Sequence, residues 1–87
     1  MSVPVDEAVY LFRSERRVRM LLSLAGGPQT PSELAAATDA SRKTARRALG
    51  TFEEYGWVRR SGRQYEMTRL GDLVAERVQS LLGAASA

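Results

Sequence analysis

The side chains able to do chemistry in this 87-residue chain are mostly cations, and they are concentrated. Arg42, Lys43, Arg46 and Arg47 crowd one short stretch, and Arg59, Arg60 and Arg63 follow a little further on. Residues 41–63 hold these seven cations against Glu53 and Glu54, a balance of +5, while the remainder carries −2 of a net charge of +3. A basic block inside a weakly acidic remainder points to a local anionic partner more than to general stickiness. All the cations but Lys43 are Arg, whose planar fork suits bidentate contact to phosphate or guanine. Coding bias accounts for part of this, since the chain is also rich in Ala, so the position of the charge is more informative than its type. Other chemistries are excluded by composition. Without Cys or His there is no disulfide, cysteine nucleophile, zinc site or histidine base. The ten carboxylates are scattered, with no phosphate loop and no nucleophile–base pairing. An enzyme is therefore the weakest reading, and no metal, cofactor or small-molecule ligand is expected.

The length suits a single domain over residues 1–87 with a modest core, at 44% hydrophobic and 26% charged residues. No apolar run is long enough to cross a bilayer and no signal peptide is evident, so a cytoplasmic location is expected. Val5 to Phe12 reads as a short helix with Asp6 and Glu7 in its first turn. Ser14 caps a second, from Glu15 to about Ala25, with Val18, Leu21, Leu22 and Ala25 as its apolar face. Gly26-Gly27-Pro28 ends it. Thr30 and Glu33 form a capping box around Pro31 and open a short helix to about Thr38, with Leu34, Ala35 and Thr38 on one side. Asp39-Ala40 interrupts, and Ser41 caps a helix from Arg42 to about Tyr55 that buries Ala45, Ala48, Leu49 and Phe52. Gly56 closes it.

The hydrophobic period then changes to two. Residues 57–60 and 63–67 read as strands joined at Ser61-Gly62. Thr68 caps a last helix from Arg69 to about Leu82, and residues 83–87 read as a frayed tail.

These elements give the cations a purpose. A short capped helix, a tight turn and a basic helix between residues 30 and 56 have the dimensions of a helix-turn-helix, whose second helix enters the major groove. With the apolar stripe buried, Arg42, Lys43, Arg46 and Arg47 occupy the exposed arc of the first two turns, where the helix dipole also favours phosphate. Glu53 and Glu54 lie at the far end. A solvated helix face is the bland alternative. It normally mixes charge signs at i, i+4, whereas Arg42–Arg46 and Lys43–Arg47 are like-charge pairs that cost a few tenths of a kcal/mol each. Arg59, Arg60 and Arg63 bracket the hairpin turn. Edge charges also deter strand aggregation, but three of them at one tip fit a wing that reaches phosphate or the minor groove.

Ser41, Thr44, Arg47, Leu49, Phe52, Glu53 and Gly56-Trp57-Val58 stand in the pattern S-x-x-T-x-x-R-x-L-x-x-[LF]-E-x-x-G-W-V. This resembles the recognition helix and first wing strand of prokaryotic winged helix-turn-helix transcription regulators, the broad group that includes the MarR, ArsR and IclR families. Residues Tyr65 to Gly71 are similar to the Y-x-L-T-x-x-G that follows the wing in them. Phe12-Arg13-Ser14-Glu15-Arg16-Arg17 resembles most the first helix of archaeal regulators with such a domain at the N-terminus. The resemblance covers residues 8 to 82. It implies a mainly α fold with a small β-hairpin wing, and DNA-facing positions at Ser41, Arg42, Lys43, Thr44, Arg46 and Arg47. It also implies that Arg60 and Arg63 flank the wing tip. With Thr30 and Arg59 these make the candidate DNA-binding set. It implies no ligand, because the metal-sensing branch uses Cys or His.

Double-stranded DNA is thus the expected partner, bound by a transcription regulator. A protein-interaction module within a larger assembly is the alternative, and would have a neutral recognition helix and an apolar exposed patch. RNA binding would need exposed aromatics for stacking, whereas Phe12, Phe52, Trp57 and Tyr65 sit at core positions. Leu70, Leu73, Val74, Val78, Leu81 and Leu82 form a stripe wider than one helix of so small a domain requires. Val5, Val9 and Phe12 add apolar surface at the other terminus. Either the terminal helices pair to complete a monomer, or a second copy covers them. The latter also places two recognition helices one duplex turn apart, so a homodimer through Val5, Val9, Phe12, Val74, Val78, Leu81 and Leu82 is expected.

Overall fold

The computed structural model of the chain describes residues 3–86. Its elements are α1 (Val5–Phe12), α2 (Glu15–Leu24), α3 (Pro31–Ala37), α4 (Arg42–Glu54), β1 (Val58–Ser61), β2 (Gln64–Met67) and α5 (Arg69–Ser86). Four helices start where a hydroxyl can satisfy an otherwise orphaned N–H. Ser14, Thr30, Ser41 and Thr68 accept from the backbone N–H groups of Arg17, Glu33, Thr44 and Gly71. Each such cap stabilises by about 1 kcal/mol. At Thr30 the box is reciprocal, since its own N–H donates to the Glu33 carboxylate at 2.8 Å.

The helix ends are equally specific. Gly56 has φ +78, its N–H donates to the Glu53 carbonyl, and the Trp57 N–H donates to the Phe52 carbonyl at 2.9 Å. That is a Schellman motif, completed by apolar contact between its flanking residues, the Phe52 and Trp57 rings at 5.6 Å. α3 ends in a related way: Asp39 adopts φ +53 and the Ala40 N–H donates to the Ala35 carbonyl. The turn of the helix-turn-helix is therefore a left-handed cap on a non-glycine residue, one of the few types that tolerate it.

α2 is the central helix, packed by α1, α3, α4, α5 and β2. Its buried face is Met20, Leu21 and Leu24, with Val18 and Leu22 half-buried and Ala25 exposed. The expected face was therefore rotated, because a helix contacted from several sides buries a wider arc than one amphipathic stripe. Arg17 is also drawn inward. It donates to the Tyr10 carbonyl at 2.8 Å and its guanidinium lies 4.0 Å from the centre of the Tyr10 ring, fastening α1 to α2. Phe52 and Trp57 are fully buried, with Tyr10 and Tyr55 stacked edge-on around them. Burial raises the pKa of the Tyr55 phenol, with smaller contributions from Tyr10 and nearby carboxylates.

The hairpin register is Val58↔Met67, Arg59↔Glu66, Arg60↔Tyr65 and Ser61↔Gln64. The two-residue connection is thus Gly62-Arg63, not Ser61-Gly62. Gly62 takes φ +62 at the first central position, as a type II′ turn requires, and this moves the turn one residue along. Tyr65 also exchanges two backbone hydrogen bonds with Gln29, at 2.7 and 3.0 Å, which ties the wing to the segment preceding α3.

α5 buries Gly71, Val74, Ala75 and Val78 against the body of the domain. Val74 and Val78, expected in a dimer interface, are core residues at 6% and 3% exposure, because their i, i+4 row faces inward. The helix passes the expected end at Leu82 and continues to Ser86. Gly83, which costs roughly 1 kcal/mol against Ala inside a helix, does not end it, and Ala84 and Ala85 after it carry no such cost. Ala87, the end of the expected tail, lies outside the described residues.

Candidate nucleic-acid interface

The inward stripe of α4 is Ala45, Ala48, Leu49 and Phe52, all buried, so its cations are forced outward. Arg42, Lys43, Arg46 and Arg47 are exposed, and among the described residues none has a carboxylate within ion-pair distance. They form two rows along the helix, Arg42–Arg46 and Lys43–Arg47, as the i, i+4 spacing dictates. Ser41 and Thr44 stand at the start of this arc. The Ser41 hydroxyl caps the helix and donates to the Thr44 hydroxyl at 2.9 Å, so both are engaged in fixing the N-terminal turn.

A groove of about 470 Å³ separates this helix from the wing. It is lined by Thr30, Pro31, Ser32, Arg46, Arg60, Gly62, Arg63 and Tyr65, three guanidinium-bearing residues and no carboxylate. The fold thus brings together four residues expected from the sequence, Thr30, Arg46, Arg60 and Arg63, from three separate elements. Arg42, Lys43 and Arg47 share the exposed arc but do not line the groove. Arg59 is set apart as well. Strand alternation sends it to the other face of the hairpin, where its Nε donates to Glu66 at 2.8 Å.

Ser32 and Tyr65 were not anticipated at the groove. Tyr65 was legible as a core aromatic, but its role depends on register. A turn at Ser61-Gly62 sets Arg60 opposite Arg63, whereas the observed turn sets it opposite Tyr65. Arg60 then donates to the Tyr65 hydroxyl at 2.8 Å, with its guanidinium 5.3 Å from the ring centre. Ser32 follows the capping proline, and nothing in its local pattern marks it.

A smaller apolar groove of about 160 Å³ runs between α1 and α5, lined by Phe12, Trp57, Val74, Val78 and Leu81 among others. Val5, Val9, Phe12, Leu81 and Leu82 are 76%, 47%, 50%, 56% and 44% exposed. The terminal helices therefore flank a groove and leave large apolar side chains exposed. Among the described residues, no helix is long and apolar enough to cross a membrane.

Comparison with known proteins agrees with this geometry. Residues 5–87 match the family model described as the HVO_A0261 N-terminal domain, an archaeal N-terminal domain. The chain belongs to that family. No curated protein matches it. Among solved structures, the chain is similar to quinone-bound YodB from B. subtilis, at 21% identity over 93% of each chain with a TM-score of 0.81. It is similar to the MarR family protein Rv2887 of Mycobacterium tuberculosis at 22% identity, covering 92% of this chain and 63% of that one, TM-score 0.77. A third similarity is to the homodimeric winged helix-turn-helix DNA-binding domain Mb0332, fragment 1–100, of Mycobacterium bovis, a possible ArsR-family regulator. There the identity is 24%, over 94% of this chain and 77% of that one, with a TM-score of 0.67. The chain spans less than two thirds of the length of the Mycobacterium tuberculosis protein. These likenesses establish the winged helix-turn-helix fold that the resemblance in the sequence implied.

Proposed function

We propose that this domain binds double-stranded DNA for a transcription regulator working in the cytoplasm, with α4 in the major groove and the wing on the backbone or minor groove. The observation that carries the reading is the unneutralised exposed arc of α4, continuous with a carboxylate-free groove that leads to the wing. A helix surface that only faced solvent would gain from acidic partners at i, i+4, and this one has like charges there. Arg47 and Lys43 are the side chains assigned to base edges, and Arg60 and Arg63 to the sequence-independent contacts.

The reading includes a homodimer. Phe12 and Leu81 line an apolar groove at the terminal helices, Val5 and Val9 are exposed on α1, and a second copy would cover them. The Mycobacterium bovis domain, which has this fold, is homodimeric. A two-fold pair would present two α4 helices to half-sites about 34–36 Å apart on a palindrome. The test is a salt titration of binding to mixed-sequence duplex and to single strands. A steep dependence with duplex preference supports the proposal, and equal weak binding to both overturns it.

A further inference from the structure

The groove between α4 and the wing has a more particular use than general attraction to DNA. We infer that it seats one phosphodiester of the duplex backbone, that Arg46 serves this seat and not base reading, and that Tyr65 is the residue positioning Arg60 in it. The inference rests on the duplex-binding reading above.

Three arguments support it. First, charge is sorted by position. Arg59 lies on the other face of the hairpin and is neutralised by Glu66, whereas no carboxylate lines the groove shared by Arg46, Arg60 and Arg63. Second, these side chains come from a helix and a hairpin and converge on the space between them. A ligand lying between the two elements fits that convergence, and the sugar-phosphate strand between a helix in the major groove and a wing beside it would run there. A base edge must instead be reached by projection from the helix alone, which Lys43 and Arg47, in the other row of α4, remain free to do. Ser32 and Thr30 add neutral hydroxyl donors of the kind that commonly contact phosphate.

Third, Arg60 is held in place before any ligand arrives. Tyr65 is 7% exposed, and its backbone is doubly hydrogen-bonded to Gln29, one residue before the cap of α3. Its ring and hydroxyl therefore form a fixed platform, and Arg60 both bonds to the hydroxyl and lies over the ring. A phenol orients the guanidinium while leaving its full charge and its remaining donors for an anion, whereas a carboxylate in that place would cancel the charge. Ordering a long side chain in advance removes part of the entropic cost of binding.

The experiment compares wild type, Arg46→Ala, Arg47→Ala, Arg60→Ala, Tyr65→Phe and the Arg60→Ala/Tyr65→Phe double variant by fluorescence anisotropy across a salt series. The duplexes are one selected by the wild type from a random pool and one of mixed sequence. Arg46→Ala is expected to weaken both duplexes by the same factor and to lower the salt slope by about one unit. Arg47→Ala is expected to weaken mainly the selected duplex. Tyr65→Phe, which keeps the ring and the backbone pairing, is expected to weaken both by roughly three- to tenfold. It is expected to have no further effect when Arg60 is already alanine. The inference is overturned if Arg46→Ala affects only the selected duplex and leaves the slope alone. It is equally overturned if Tyr65→Phe is without effect, or costs the same without Arg60. If the wild type lacks salt-dependent duplex binding altogether, the duplex reading itself falls, which is a different result from any of these.

Discussion

One substitution, Gly→Ala, should act with opposite sign at two helical positions of this chain. At Gly71, in the first turn of α5, an added Cβ would lie 2.0 Å from the Trp57 carbonyl oxygen and 2.9 Å from its carbon. Real Cβ contacts essentially never fall below 3.0 Å, so helix and loop must separate by about an ångström. That movement cannot be absorbed by a side chain. The Trp57 carbonyl accepts the Thr68 N–H at 2.9 Å, and the Thr68 hydroxyl bridges the Gly56 carbonyl and the Gly71 N–H, so separation disrupts this set of bonds. Overpacking costs about 1–3 kcal/mol and a lost hydrogen bond about 1, giving a destabilisation of about 2–4 kcal/mol. At Gly50, midway along α4, an added Cβ meets nothing within 4 Å. There the gain is the lower entropy of the unfolded chain, about 0.5–1 kcal/mol of stabilisation. Urea unfolding followed by circular dichroism measures both, with the slope expected to stay constant so that midpoints compare directly. A Gly71→Ala protein as stable as wild type, or a Gly50→Ala protein less stable by 1 kcal/mol, would refute the reasoning.

Three further outcomes are expected. Arg47→Ala should cost about 1–3 kcal/mol of affinity at a preferred site and relax specificity there, with an unchanged circular dichroism spectrum, because the side chain points away from the buried stripe of α4. Leu81→Asp, at a position 56% exposed, should convert a sedimenting dimer to a monomer of 9.6 kDa and weaken binding to a palindrome far more than it lowers the melting temperature. A wild-type protein already monomeric at tens of micromolar would rule that out. Asp39→Gly should raise stability by about 0.5–1 kcal/mol in urea, because glycine removes most of the left-handed strain at φ +53 while adding some unfolded-state entropy.

Much of the scaffold was legible because its signals are local. A hydroxyl three residues before a satisfied N–H, a proline in the first turn and a glycine just past the last each act within one turn of chain. The starts of α2 to α5 follow from them. Non-local packing was harder to read. The face of α2 depends on five neighbouring elements, and no single periodicity encodes that. Val74 and Val78 read as surplus apolar surface because the sequence does not reveal which row of α5 meets the body of the domain. The hairpin slipped by one residue because the choice between Ser61-Gly62 and Gly62-Arg63 depends on which central position the glycine takes. That slip decided whether Arg60 faces another cation or Tyr65, so the least constrained part of the sequence reading had the largest effect on the candidate site.

Most of the motif residues hold the scaffold, while Ser41, Thr44, Arg47 and Tyr65 belong to the candidate site as well. Gly56 and Trp57 close α4 through a Schellman motif, Thr68 ties that corner to α5, and Gly71 permits the helix to approach the Trp57 carbonyl. Ser41 caps α4, while Leu49 and Phe52 fill the core. Each of these answers a demand of the backbone or the core, which is why a pattern built mostly on such residues specifies a winged helix and, apart from Arg47, little about its target. The cations Arg42, Lys43 and Arg46, with Arg60 and Arg63, fall between the motif positions, on surfaces that the scaffold leaves unconstrained. What the scaffold does fix is their spacing. The Tyr65–Gln29 pairing and the Thr68 bridge join wing and helix-turn-helix, so the separation of Arg46 from Arg60 is set by hydrogen bonds to the backbone and not by side-chain reach. A Gly71→Ala protein examined where it is still mostly folded should therefore bind duplex less well than its folded fraction predicts, because the corner that moves is the one holding the wing against α4.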